Sequence, residues 1–307
     1  MDNDLKRRAF LTSIIGILIG APVATRFLLH QEPNETHYFS SQLKKYRKQL
    51  DVPIISTETP ASVSLTLQPP AQAEWNYLLF SPSYFPTELS RATIGEPDTF
   101  LVREGRLYLG RTPDGKSLIG GGDSLSQICS PIGKEEKPAK STLLLCENGQ
   151  LQPAKPKGKA ALSPPDMQML HLLGLDLPQQ KKLILGTRWR SGIGRVKPFT
   201  GYSTDYEVTG FADIAGRKTV DIAFSGTISN PVSLPDQTPT DKKTAKDPIV
   251  TNLHRGHAWF DLENGFLVRQ ETEFECSMNG LAGYLSHDGS DRIAVKIESI
   301  LHFFPVS

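Results

Sequence analysis

A mainly β chain is what this sequence predicts: antiparallel strands in a half-barrel-like meander under one or two covering helices, with an apolar segment ahead of them. Three observations carry that expectation. The last third alternates apolar and polar residues, with Ile293, Val295, Ile297, Leu301 and Phe303 set against Arg292, Lys296, Glu298 and His302. A period of two buries one face of a strand and wets the other, which marks an antiparallel sheet rather than a parallel α/β core. The 25 Gly and 23 Pro in 307 residues favour many turns over long helices. Finally, the candidate strands follow one another through short turns, and a sheet of several such strands twists and curls around whatever covers its apolar side.

Residues 1–30 read as an address. Lys6, Arg7 and Arg8 precede an apolar run that reaches Ala24, and a charged head followed by about 15 apolar residues has the layout of a secretory signal. Arg7 and Arg8, followed by Phe10 and Leu11, resemble the twin-arginine signal Arg-Arg-x-Phe-Leu. That resemblance implies the twin-arginine translocation machinery as a partner and a periplasmic or other extracytoplasmic destination. An ordinary membrane anchor, its arginines held inside by the positive-inside bias, is the other reading, and it gives the same topology. A small-x-small cleavage site is missing, because Ile19 and Pro22 stand three back from cuts after Ala21 and Ala24. Left uncleaved, Phe10 to Leu29 is about 20 residues, enough to span a bilayer and tether the chain to the cytoplasmic membrane. Removal and retention both stay open.

Residues 31–61 form a linker with a short helix. Phe39, Leu43, Tyr46 and Leu50 recur at steps of three and four, with Lys44, Lys45, Arg47 and Lys48 on the other face. Such a helix either lies on an anionic membrane surface or packs on the β body with a solvated basic side; the second is the expectation. Val52 to Ala61, with Pro53 and Pro60, reads as a connector.

Residues 62–162 form an N-terminal β-rich part. Strands are expected over Val63–Leu67 and Trp75–Phe80, in a hairpin within Phe100–Leu109 that turns at Glu104-Gly105, and over Leu143–Leu145. Gly120, Gly121 and Gly122 read as a flexible turn, since no Lys-Ser/Thr pair completes a phosphate loop. Pro131–Lys140 is expected as a charged loop and Pro153–Lys159 as a linker.

Residues 163–307 form the C-terminal antiparallel domain. Pro164 and Pro165 suit a helix's first turn and Asp166 its positive end; Met167, Leu170 and Leu173 then mark a stripe that covers the sheet. A strand with Tyr202, Thr204, Tyr206 and Val208 on one face and Asp205 and Glu207 on the other leads to a turn at Ala215-Gly216. Val220, Ile222 and Phe224 repeat the pattern against Asp221, Ala223 and Ser225. A solvated loop over Asn230–Pro248 precedes strands at Leu253–Leu262 and Phe266–Cys276, joined by a Glu263-Asn264-Gly265 hairpin turn. Leu-Gly-Thr-Arg-Trp189, Tyr206-x-Val208-x-Gly210 and Gly256-x-Ala258-x-Phe260-Asp261-x-x-x-Gly265 resemble uncharacterised extracytoplasmic β proteins related to half-barrel lipoprotein carriers. The resemblance spans roughly Leu177 to Phe303. It implies an open half-barrel that holds an apolar ligand, and no catalytic residue.

For function, the net charge of +1 with mixed signs argues against nucleic acid as a partner. Cys129, Cys146 and Cys276 lack the spacing of a zinc site. Cys129 and Cys146 are the candidate disulfide; a loop of that size would contribute about 3 kcal/mol. His254 and His257, three apart on a strand, point to opposite faces and cannot share an ion. His257, Asp261 and Glu271 form a polar cluster whose metal or acid/base role needs a further partner that the sequence does not reveal. Glu271, Glu273 and Glu275 line one face, either attracting calcium or keeping a wet or edge face from aggregating, and the latter is expected. No Walker loop, nucleophile elbow or His-Glu-x-x-His is present. Neither a cofactor nor a metal site nor a catalytic residue is assigned. The sequence therefore reads as a non-enzymatic envelope protein that binds an apolar ligand or a protein partner. The alternative is an exported, hydrolase-like enzyme working around His257, Asp261 and Glu271 in the concave sheet face.

Overall fold

In the computed structural model the described residues are 33–60, 62–65, 72–84, 96–111, 118–130, 133–139, 144–147, 150–153, 182–191, 201–231, 249–279 and 293–305. Arg7, Arg8, Phe10 and Leu11, the expected helix from Pro164 and most of the Asn230–Pro248 loop lie outside them. One helix, α1 (Pro33–Leu50), precedes the strands. They run β1 (Ile54–Ser56), β2 (Val63–Ser64), β3 (Gln72–Tyr84), β4 (Thr99–Arg111), β5 (Leu118–Ser130), β6 (Gly133–Ala139), β7 (Leu144–Glu147) and β8 (Gln150–Pro153). After these come β9 (Lys182–Leu183), β10 (Arg188–Ser191), β11 (Gly201–Ile214), β12 (Arg217–Pro231), β13 (Ile249–Asp261), β14 (Leu267–Asn279) and β15 (Ile293–Pro305).

Thirteen strands form one open, curled antiparallel sheet in the order β1-β11-β12-β13-β14-β15-β3-β4-β5-β7-β8, with β10 also on β11 and β6 also on β5. The meander expected from β11 to β15 is present in register. The sheet does not divide at residue 162: β15 pairs with β3, setting Leu301 opposite Leu79 and Phe303 opposite Tyr77. Ala215 (φ 53°) and Gly216 (φ 81°) make the two-residue turn between paired Ile214 and Arg217; two consecutive positive φ values are what a type I′ hairpin requires. At the β13–β14 turn, the N–H groups of Glu263 and Asn264 donate to Asp261 Oδ1 at 2.8 and 2.9 Å, and Gly265 takes φ 62°.

Two apolar layers cover opposite faces. On one, Trp75 stacks on Phe266 at 4.0 Å between ring centroids, and Phe266 meets Phe303 edge-on at 5.0 Å. Val220, Ile222, Phe260 and Leu301 join them, and the short β2–β9 pair adds Leu183 and neighbouring Leu65. On the other, α1 lays Phe39, Leu43, Tyr46 and Leu50 over Leu78, Phe80, Phe100 and Val102. Lys44, Lys45, Arg47 and Lys48 stay exposed, so the helix packs on the body as expected. A bulge between Val208 and Gly210 reverses the facing of β11. Val208 and Phe211 belong to the first layer, whereas Ala212 and Ile214 meet Val52, Trp259 and Val268 on the α1 side.

Several expectations are corrected. The Glu104-Gly105 hairpin is absent: β4 runs through, with Glu104 opposite both Leu78 and Leu125. Gly120 to Gly122 lie inside β5, opposite Leu109 to Leu107, and the charged loop after Pro131 is strand β6. In each case a long ladder between neighbouring strands overrides a local turn preference. The strand expected to Leu67 is the two-residue β2, and the connector after Val52 contains β1 on the edge of β11. His302, expected on a wet face, is buried on the side that α1 covers. Cys129 pairs in register with Phe100, and Cys146 with Leu118 at the far end of β5. Positions 118 and 129 of an extended strand stand about 36 Å apart. A disulfide needs Cα atoms within about 7 Å, so this register does not permit the Cys129–Cys146 bridge.

Candidate functional site

On the α1 side of the sheet, a groove of about 1020 Å³ runs across β10 to β15. Its walls follow from strand register. Residues paired across antiparallel strands point to one face, and pairing sets Arg190, Asp205, Ser225, Arg255, Glu273 and Glu298 in one row. Two positions along each strand, Arg188, Glu207, Ala223, His257, Glu271 and Ile300 form a second row. The backbone between the rows is the floor. Strand spacing gives a length of about 24 Å, and a two-residue step separates the rows by about 7 Å. Gly256 lies in that floor, where a Cβ would overlap the carbonyl oxygen of Glu271.

The rows are laced by ion pairs. Arg190 donates to both oxygens of Asp205 at 2.6 and 2.8 Å. This hydrogen bonding holds the Asp205 carboxyl below the usual carboxylate range and raises the guanidinium. Arg188 meets Glu207 at 3.0 Å and Arg255 meets Glu273 at 2.8 Å. Lys296 lies 3.1 Å from Glu298, which also accepts the Tyr84 hydroxyl at 3.1 Å. Burial first, then the Glu298 charge, pushes the Tyr84 phenol up.

Arg269 joins the groove to the helix. Its side chain, 6% exposed, donates to Glu271 Oε1 from Nε and Nη2 at 2.8 and 2.7 Å, and from Nη1 to the Leu50 carbonyl at 2.9 Å. A guanidinium at the last residue of α1 satisfies a carbonyl that the helix leaves open and faces the negative end of its dipole. His302 pairs in register with Arg269. Burial, then the charges of Arg269 and Arg217, lowers its pKa to about 4.

Of the expected polar cluster, His257 and Glu271 stand opposite each other in the groove. Asp261 does not join them: it is 8% exposed and its carboxylate holds the β13–β14 turn. The carboxylate beside His257 is instead Asp221, 2.8 Å from Nδ1, and the imidazole stacks on Trp259 at 5.7 Å. Alternation placed Asp221 on the wet face. Its register with His257 was hidden because the long segment after Pro231 separates the two strands. Arg255 on β13 was missed for the same reason, and Arg188 and Arg190 because residues 192–200 separate β10 from β11, although the alternation at Asp205 and Glu207 was visible. Glu271 and Glu273 occupy a wet face as expected, but on an interior strand rather than an edge. His254 points to the other face, buried, with Nε2 3.0 Å from Thr204 Oγ1.

Chemically, the Asp221–His257 pair is an oriented proton acceptor. Among the described residues no hydroxyl or thiol is hydrogen-bonded to His257, and no group of three or more His, Cys, Asp or Glu is arranged to hold a metal. No family model matches the chain, and no curated protein matches it. Among solved structures, two mutants of the Rh. blastica porin are similar at 9% and 10% identity, with TM-scores of 0.25 and 0.26. Each alignment covers 76% of this chain and 100% of the porin chain. Scores that low carry no inference about fold or function.

Proposed function

We propose that this chain is an exported envelope protein, released or held at the cytoplasmic membrane by its N-terminal segment, whose β body binds a protein partner without catalysing a reaction. The observation that supports this reading is the groove itself. Its two rows present guanidinium and carboxylate groups and, in Ile300, a single large apolar side chain, so a polar partner suits it better than an apolar ligand. The curled sheet is compatible with kinship to half-barrel carriers, while the polar walls argue for different cargo. Export rests on Arg7 and Arg8. Replacing both with lysine is expected to leave the precursor in the cytosol, read by cell fractionation; unchanged export would remove the twin-arginine reading. A photo-crosslinking residue at Ser225 in living cells is expected to give a protease-sensitive adduct, and no adduct at all would count against a protein partner.

The Asp221–His257 pair favours a second reading, an exported hydrolase with His257 as general base. It requires that His257→Ala abolish turnover of some ester or peptide substrate; a screen with no turnover by the parent chain would end it.

A further inference from the structure

Resting on the reading that the N-terminal segment holds this chain at the cytoplasmic membrane, we propose that the outer face of α1 docks the β body on anionic lipid headgroups. A helical turn of 3.6 residues sets which side chains stand outermost. Phe39, Leu43, Tyr46 and Leu50 face the sheet. Lys48 and Ser41 then fall within about 10° of the opposite pole, with Lys44 and Lys45 about 50° to either side. All four are exposed. Lys45 also reaches over the Tyr46 ring, its Nζ 4.6 Å from the centroid, and Arg47 stands further round, against Tyr84. No acidic residue occurs between Glu35 and Asp51, although the whole chain carries only +1. The body therefore takes up the apolar stripe of α1, and the face left over carries one sign of charge.

The tether decides the occupant. The apolar run ends at Leu29 and α1 begins at Pro33; four residue steps reach at most about 14 Å, so lipid headgroups are at hand before any soluble polyanion arrives. Charges more than about 10 Å from the surface are screened. An upright helix would leave Lys44 and Lys48 about 17 and 23 Å beyond Pro33, whereas a helix lying along the surface brings all three lysines within range. Each lysine at an anionic surface contributes roughly fivefold, and three favour the lying pose on the order of a hundredfold. The groove opens on the same side of the sheet as α1, so docking turns it toward the bilayer, and the protein partner that reaches it there is membrane-bound.

The test reconstitutes the full chain, with benzoylphenylalanine at Ser41, in nanodiscs of phosphatidylcholine alone or mixed with phosphatidylglycerol. Irradiation is expected to give a lipid adduct at position 41 in the mixed discs, and about fivefold less or lower in neutral discs or at high salt. The Lys44→Gln/Lys45→Gln/Lys48→Gln variant is expected to lose the adduct by about fivefold or more. A label at Lys182, exposed on the short β2–β9 pair over the sheet's other face, is expected to give none. If circular dichroism shows the variant misfolded, the lipid and salt dependence of the parent chain decides. Equal adduct in neutral and anionic discs, no adduct at Ser41, or equal adducts at Ser41 and Lys182 would overturn the proposal. A chain recovered free of discs would remove the tether and the docking together, whereas incorporation without a Ser41 adduct would remove the docking alone.

Discussion

His302 shows what enclosure does to one side chain. In the unfolded chain a histidine takes up a proton below pH about 6.5, whereas in the fold His302 does so only near 4. Between those values the unfolded state holds more protons, so stability is full above the unfolded pKa and falls as pH drops toward 4. The loss over that window is about 3 kcal/mol. Urea midpoints at pH 7 and pH 5 are expected to capture about 2 kcal/mol of it, and His302→Leu is expected to flatten the difference. An equal slope in that variant would mean the acid sensitivity lies elsewhere. Alternation alone assigned His302 to the wet side; it cannot foresee that a helix from the other end of the chain lands there.

At the scale of elements, α1 and β5 teach opposite lessons. The spacing of Phe39, Leu43, Tyr46 and Leu50 was enough to read both the helix and its buried stripe, because helical periodicity is local. Phe39→Ala is expected to cost about 3–5 kcal/mol in chemical denaturation. Lys44→Gln, on the same exposed face but before the last turn, is expected to change stability by less than about 0.5 kcal/mol. A large loss in the lysine variant would show that the basic face is not merely solvated. β5 was not legible, since three consecutive glycines and a flanking charged run carry no strand pattern of their own; neighbouring strands complete them. That register keeps Cys129 from Cys146, so peptide mapping of the chain unfolded without reductant should find no Cys129–Cys146 bridge, and finding that bridge would refute the β5–β7 pairing.

For the whole molecule, the contact that unites the body is β15 against β3. Strands from residues 62–162 and from the last third share one ladder there, which couples their stabilities. Trp75 on β3 and Trp259 on β13 are natural reporters, and single-tryptophan variants are expected to give coincident urea transitions. Separated midpoints would mean that the two parts fold as independent units. The groove lives at this scale too, because its rows are assembled from β10 to β15.

By itself the sequence determined which stretches alternate, where the β11–β12 and β13–β14 hairpins turn, which face of α1 is buried and that His254 and His257 face apart. These follow from bond geometry over a few residues. Only the tertiary structure decided that Asp221 rather than Asp261 partners His257, that Arg269 ends α1 while holding Glu271, and that charged positions align into two rows. Those depend on the offset between strands joined by long segments, and a shift of one residue in such an offset would turn every side chain to the other face.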